Sequence, residues 1–198
     1  TNIGADQNGH ECMAELQKNN IITSYVKKHS GKATNYHFVL WYTDERTILV
    51  NHVDYSYTLP KLPSAKWVYL TSLAGGTGAY HMQVADYLEA NPNVRLAFQP
   101  GTFQMKLGFN DLERLYLRTD VFIVNVEEAQ RMLNTDSRDI KVLMKKLHEH
   151  GPKLILVTDG PKGEYMFDGD HSYFMPIYPD PKPPLERTGC GDAFASTF

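Results

Sequence analysis

Glu186-Arg187-Thr188-Gly189-Cys190-Gly191-Asp192-Ala193-Phe194-Ala195-Ser196-Thr197-Phe198 is the stretch that decides how the chain is read. Two glycines flank one small residue, so the backbone can turn sharply and aim successive N–H groups into a small volume. The run from Ala193 is expected to open a helix directly afterwards. Unpaired amides and the positive end of a helix dipole make such a turn an anion cradle. No lysine follows the glycines, which excludes the GxxxxGK[ST] phosphate loop. Asp192 stands at the mouth instead. A carboxylate there would repel an anion unless it has another task, and accepting a proton from an attacking hydroxyl is one. By itself the turn fits an ordinary glycine bend with Asp192 capping a helix equally well.

Upstream, from Leu62, the pattern is one of continuous apolar strands alternating with amphipathic helices. Strands are predicted at 66–71, 94–98, 121–124 and 154–157, with helices to about Ala90, from about Asp111 to Leu117, to Leu133, and from about Ser137 to His150. This is the signature of a parallel sheet covered on both faces. Ligands of such sheets bind outside the carboxyl ends of the strands. Here those ends read Gly75-Gly76-Thr77-Gly78, Gln99-Pro100-Gly101-Thr102, Asn125, and Thr158-Asp159-Gly160: small, polar or backbone-exposing, as a polyanion site requires. Beyond Gly163, runs 164–167 and 171–175 flank Asp168-Gly169-Asp170, a hairpin turn, and a Pro-rich segment at 176–184 leads to the glycine turn.

Nearer the start, Gly4-Ala5-Asp6-Gln7-Asn8-Gly9 reads as a turn into a helix at about 10–18, and 21–26 as a short strand. Residues 36–42 and 47–53 are β-rich and separated by the polar Thr43-Asp44-Glu45-Arg46, which predicts a hairpin. One face of its first strand carries Tyr36, Phe38, Leu40 and Tyr42, and the other His37, Val39 and Trp41. We expect one face to close over a ligand and the other to meet a second subunit, giving a homodimer; a hairpin buried in the main core is the alternative.

The composition is that of a globular domain. A net charge of -3 from 20 basic and 23 acidic residues, without a Lys/Arg run, argues against nucleic acid as a partner. No apolar run is long enough for a membrane span. Two separated cysteines, Cys12 and Cys190, suit a reducing compartment and a cytoplasmic protein.

Two further strand ends have double readings. Asn125-Val126-Glu127-Glu128 is a capping pair by spacing; the same amide and carboxylate can also hold hydrated Mg²⁺ through water, because that ion keeps several waters. Thr158-Asp159-Gly160-Pro161-Lys162-Gly163 is a strand-to-hairpin turn, or a backbone that approaches phosphate or ribose closely. His148 and His150, two apart on a helix, diverge and are read as surface residues.

Taken in order, Asn125-x-x-Glu128, Thr158-x-Gly160-x-x-Gly163 and Thr188-Gly189-Cys190-Gly191-Asp192-Ala193-Phe194 resemble the PfkB or ribokinase-like family of carbohydrate and nucleoside kinases. Gly4-x-Asp6-x-x-Gly9 resembles an early turn of that family, and the hairpin at about 36–53 falls where it carries a β-lid. The resemblance spans 1–198 and implies a single ribokinase-like α/β domain: a three-layer sandwich with a mainly parallel sheet and a small β-lid hairpin. It implies transfer of the γ-phosphoryl group of ATP, with Mg²⁺, to a hydroxyl of a small sugar or nucleoside. Asp192 would be the base and the amides of Gly189, Cys190 and Gly191 the hole for the transferring group. Asn125 and Glu128 would organise Mg²⁺ and phosphate, Thr158, Gly160 and Gly163 would border the nucleotide, and Glu186, where the family often has Asp, would touch substrate. The aromatic hairpin tilts the acceptor toward a nucleoside. Relative to the family pattern the chain looks truncated at both ends, lacking the first strand and the end of the adenine pocket, so this polypeptide alone is expected to be inactive. A relative that keeps the fold for binding or assembly without catalysis is the rival reading.

Overall fold

The computed structural model describes residues 1–42, 45–179, 182 and 188–198, and of 45–46 the backbone only. The expected turn at 43–44, most of the end of the Pro-rich crossing, and Glu186 lie outside the described residues. The chain divides into two compact units, Thr1–Lys61 and Leu62–Phe198.

The first unit opens on strand β1 (Asn2–Gly4), helix α1 (Gln7–Lys18) and strand β2 (Lys27–His29), which pairs with β1 in parallel. The early glycine-aspartate motif is a structural knot. Asp6 caps α1 by accepting from the Gly9 N–H at 2.9 Å, and also accepts from the Thr34 hydroxyl at 2.6 Å and the Thr34 N–H at 2.8 Å. These donors, the hydroxyl foremost, hold its carboxyl down to about 2. Helix α1 therefore starts at Gln7, earlier than expected. The strand expected at 21–26 is absent, and Ile21 and Ile22 are exposed. Strands β3 (Tyr36–Tyr42) and β4 (Glu45–Asn51) form the predicted antiparallel hairpin. Phe38 and Leu40 on one side and Trp41 on the other are all more than half exposed, so the hairpin is not a core element.

In the second unit strands β5 (Trp67–Leu70), β6 (Arg95–Phe98), β7 (Thr119–Asn125) and β8 (Leu154–Thr158) pair in parallel, β9 (Glu164–Phe167) pairs antiparallel to β8, and β10 (Ser172–Met175) antiparallel to β9. The six-stranded order is β5-β6-β7-β8-β9-β10. Between them run α2 (Gly78–Ala90), α3 (Thr102–Asp111), α4 (Glu113–Arg118), α5 (Val126–Met132) and α6 (Ile140–His148), and α7 (Cys190–Thr197) follows the hairpin. Helix α3 was not expected.

Strand alternation assigns the two faces. On one, Phe98 and Phe122 pack at tilted and edge-on angles against Tyr116 of α4, all three buried, and α6 lies over β8 and β9, where His148 meets the Phe167 ring edge-on at 5.3 Å. On the other, Val121, Ile123 and Leu156 form a buried cluster under Phe194 and Ala195 of α7. Helices on both faces of the sheet make the three layers. His148 is thus half-buried between α6 and the β9–β10 hairpin, its Nδ1 without a hydrogen-bond partner among the described residues, rather than a surface residue; His150 is exposed and stacks on Phe109 at 3.6 Å. Neither joins a metal-binding group among the described residues. Nor is any helix among them long and apolar enough to cross a membrane.

Candidate active site

The face under α7 changes character along the strands. Register places Ala97, Val121 and Leu154 in one row and Ile123, Leu156 and Met166 in the next, all apolar. The row after that, at the carboxyl ends, is Asn125, Thr158 and Glu164, since Asn125 pairs with Thr158 and Thr158 with Glu164. Apolar side chains bind the helix, and polar ones stand where the sheet stops.

Asn125 caps α5. Its Oδ1 accepts from the Glu128 N–H at 2.8 Å, and Glu128 Oε2 accepts from the Asn125 N–H at 2.9 Å. The capping reading is therefore realised in full. It leaves Glu128 Oε1 outside the cap. Burial raises the Glu128 pKa, and the neighbouring charges of Glu127 and Asp192 add to this, while the Asn125 N–H and Arg131 oppose it. Phe194 and Ala195 of α7 pack on the face of Val121, Ile123 and Leu156, and Gly191 in its first turn lies beside Gln99 just past β6, so α7 starts at the carboxyl end of the sheet, where α5 also starts.

Gly189 is the N-cap of α7, with φ +82°, and nothing lies within 4 Å of where a Cβ would be. Its glycine is needed for the left-handed backbone, not for space. The helix opens at Cys190, three residues earlier than expected, so Cys190, Gly191 and Asp192 occupy its first turn. The first helical bond runs from the Ala193 N–H to the Gly189 oxygen at 2.8 Å. The N–H groups of Gly189 through Asp192 are thereby left without intrahelical acceptors, and no described side chain caps them. Asp192 is exposed.

After Thr158 the chain makes a single 3-10 turn, Gly160–Lys162, closed by the Asp159 N–H donating to the Gly163 oxygen at 2.9 Å. Gly160 and Gly163 both have positive φ, at +52° and +101°. A Cβ on Gly163 would collide with the Met175 carbonyl, so this glycine is required for β10 to close on the turn. The hairpin-turn reading holds, and Thr158 is on the same edge as Asn125.

Sequence reading did not single out several neighbours. Glu164 completes the polar row, and burial raises its pKa. Arg138, before α6, bridges Glu127 at 3.1 Å and Asp159 at 3.3 Å, tying the α5 start to the turn after β8. At the other side His81, fully buried, has Nδ1 against the Thr77 oxygen at 2.7 Å and Nε2 against the Gln104 amide at 3.0 Å. Gln104 also donates to the Thr71 oxygen and accepts from the Gly101 N–H. This network fixes the loops that leave β5 and β6.

The pfkB family carbohydrate kinase profile matches residues 1–198. An uncharacterized sugar kinase of Archaeoglobus fulgidus is 23% identical over 99% of this chain and 78% of its own length. A cytidine kinase of Thermococcus kodakarensis is 33% identical over 53% of this chain and 37% of its own. The structure of Arabidopsis thaliana ribokinase complexed with ribose and ATP superposes with a TM-score of 0.76 at 21% identity, covering 98% of this chain and 65% of that one. The second is a likeness of part of the sequence and the third one of fold. With the family profile matched across all the residues, the chain belongs to the pfkB family of carbohydrate kinases.

Proposed function

We propose that the protein transfers the γ-phosphoryl group of ATP to a hydroxyl of a small sugar or nucleoside. The observation that carries this reading is that Asn125 and Thr158 pair at the carboxyl ends of β7 and β8, with the start of α7, which holds Asp192, at the same end of the sheet beside Gln99. Phosphoryl transfer asks a protein mainly for positioning and charge stabilisation, and each part of the edge has such a task.

The α7 start, through the amides of Gly189, Cys190, Gly191 and Asp192, hydrogen-bonds the phosphoryl oxygens as negative charge moves across them. Asp192, exposed at that opening, accepts the proton of the attacking hydroxyl. Mg²⁺ fits beside Glu128: a half-buried carboxylate has one oxygen outside its cap, a charge that a divalent cation relieves. Asn125 and Glu128 would hold it through water, and when bound it supplies neutralisation of triphosphate charge. Thr158, Gly160 and Gly163 border the nucleotide. Glu186 is assigned to the acceptor side.

Between acceptor classes, the exposed rings of Tyr36 and Phe38, on one face of the hairpin, favour a nucleoside, whose base stacks on aromatic rings. The opposite face of the hairpin, which carries the exposed Trp41, is where we place a homodimer contact, which sedimentation of the wild type against a Trp41→Glu variant would reveal. Two free, exposed cysteines accord with the cytoplasm. The test of function is a screen of the full-length protein with MgATP against ribose, fructose, adenosine and cytidine. ADP release coupled to a phosphorylated product supports the reading; ADP without product from any acceptor, or no turnover at all, contradicts it.

A further inference from the structure

Gln99 follows β6 on the face that α7 covers. Its neighbour in the strand pattern, Ala97, packs against the same Val121, Ile123 and Leu156 cluster as Phe194 and Ala195, and two residues on, on the same side of the strand, is Gln99. Its N–H continues the ladder by donating to the Leu70 oxygen at 2.9 Å. The side chain is oriented from one end only. The Tyr69 hydroxyl donates to Gln99 Oε1, which has no hydrogen to give in return, so the amide nitrogen is turned the other way. That nitrogen lies 3.9 Å from the position of a Cβ on Gly191, in the first turn of α7. The amide donors of Gln99 thus stand beside Gly191 in the first turn of α7, one residue from Asp192.

We propose that Gln99 is a side-chain member of the phosphoryl-binding hole, donating an N–H to an equatorial oxygen of the group in transfer, with Tyr69 as the positioning residue that fixes the amide. This rests on the kinase reading above. A neutral amide suits the place for a physical reason. It adds a donor where charge develops, without adding a carboxylate to a site that already holds Glu128 and Asp192, and without a cation that would lock the phosphate in its ground state. A purely structural Gln99 would only brace Tyr69, an exposed residue of the edge strand β5.

The experiment compares full-length wild type, Gln99→Glu, Gln99→Leu and Tyr69→Phe, using the acceptor found in the screen. Two readouts are taken: steady-state kinetics, and calorimetric affinity for MgADP with and without aluminium fluoride, the phosphoryl mimic. Removing one oxyanion-type donor costs on the order of 10²-fold in kcat, and that is expected for both Gln99 variants, with KM for the acceptor changed less than about threefold. The gain in MgADP affinity on adding aluminium fluoride should shrink by a similar factor, while affinity for MgADP alone is kept. Tyr69→Phe should lose less, about tenfold, because the amide remains but can flip. Wild-type turnover with both Gln99 variants within threefold, or an unchanged aluminium fluoride effect, overturns the role of Gln99 and leaves the kinase reading standing. Wild-type enzyme that phosphorylates nothing overturns the kinase reading itself, and an unaltered aluminium fluoride response in the variants then removes this proposal separately.

Discussion

Replacing Gln104 with leucine tests whether buried hydrogen bonding sets the strand-end loops. Gln104 is fully buried and makes three contacts: it accepts from the Gly101 N–H at 2.7 Å, donates to the Thr71 oxygen at 2.9 Å, and faces His81 Nε2 at 3.0 Å. Leucine is close in volume, so the cavity term is small and the cost is that of three polar groups left without partners. At about 1–3 kcal/mol for each, taken toward the low end because Gly101 lies at a helix start, the loss is about 4 kcal/mol. Apolar burial of the new side chain offsets about 1 kcal/mol of it, leaving about 3 kcal/mol, or roughly two decades in the folding constant. For a protein of this size that corresponds to a fall of about 6–12 °C in Tm, read by circular dichroism. A Tm within about 2 °C of wild type would refute the network. Acid provides the companion test. Burial lowers the His81 pKa, with the Thr77 carbonyl opposing. The unfolded chain therefore takes up the proton first, so this contribution is whole above about pH 6.5 and is lost as pH falls through the lower folded value. Part of the decline in Tm below pH 6.5 should disappear in His81→Phe.

Gly163→Ala should destabilise by about 2–4 kcal/mol, because φ is +101° and the new Cβ meets the Met175 carbonyl. Gly191→Ala should instead be neutral or stabilising by up to about 1 kcal/mol, since it is helical and its Cβ meets only the Gln99 amide at 3.9 Å; chemical denaturation of the pair decides, and equal losses would contradict the assigned backbone. Glu128→Gln keeps an acceptor for the Asn125 N–H and removes a half-buried charge. A raised carboxyl pKa gives stability that is whole below the unfolded value and is lost as pH rises through the folded one, so the variant should melt higher than wild type at pH 8 without Mg²⁺, and in the kinase assay require more Mg²⁺ for half-maximal rate. A lower melting point and an unaltered Mg²⁺ requirement would remove Glu128 from the metal assignment.

The parallel sheet was legible because its strands are continuous apolar runs that end in Asn125, Thr158 and the glycine turns, and each predicted run has its strand in place. The candidate site residues stand out for the same reason, as polar or glycine positions at those ends. Helix α3 was not, because its pattern is inverted: Gln104 is buried while Phe103 is 38% exposed, and Gly108 at φ +77° breaks the helix. Hydropathy reads such a segment as loop. Strand β2 is Lys27-Lys28-His29, polar throughout, and exists because β1 pairs with it. The exposed Ile21 and Ile22 drew the expectation to the wrong place. Gln99 and Glu164 were missed as well, since their significance comes from register across the sheet, which spacing along the chain does not carry.

The central claim is that one carboxylate, Asp192, takes the proton at a phosphoryl-transfer site assembled from the ends of β7 and β8 and the start of α7. Its most direct measurement is single-turnover phosphorylation by Asp192→Asn of the full-length protein, with MgATP affinity determined on the same sample. The account predicts a loss of about 10²–10⁴-fold in the transfer rate, the range for a positioned base, with MgATP affinity unchanged or slightly higher. Transfer at the wild-type rate in Asp192→Asn would contradict it.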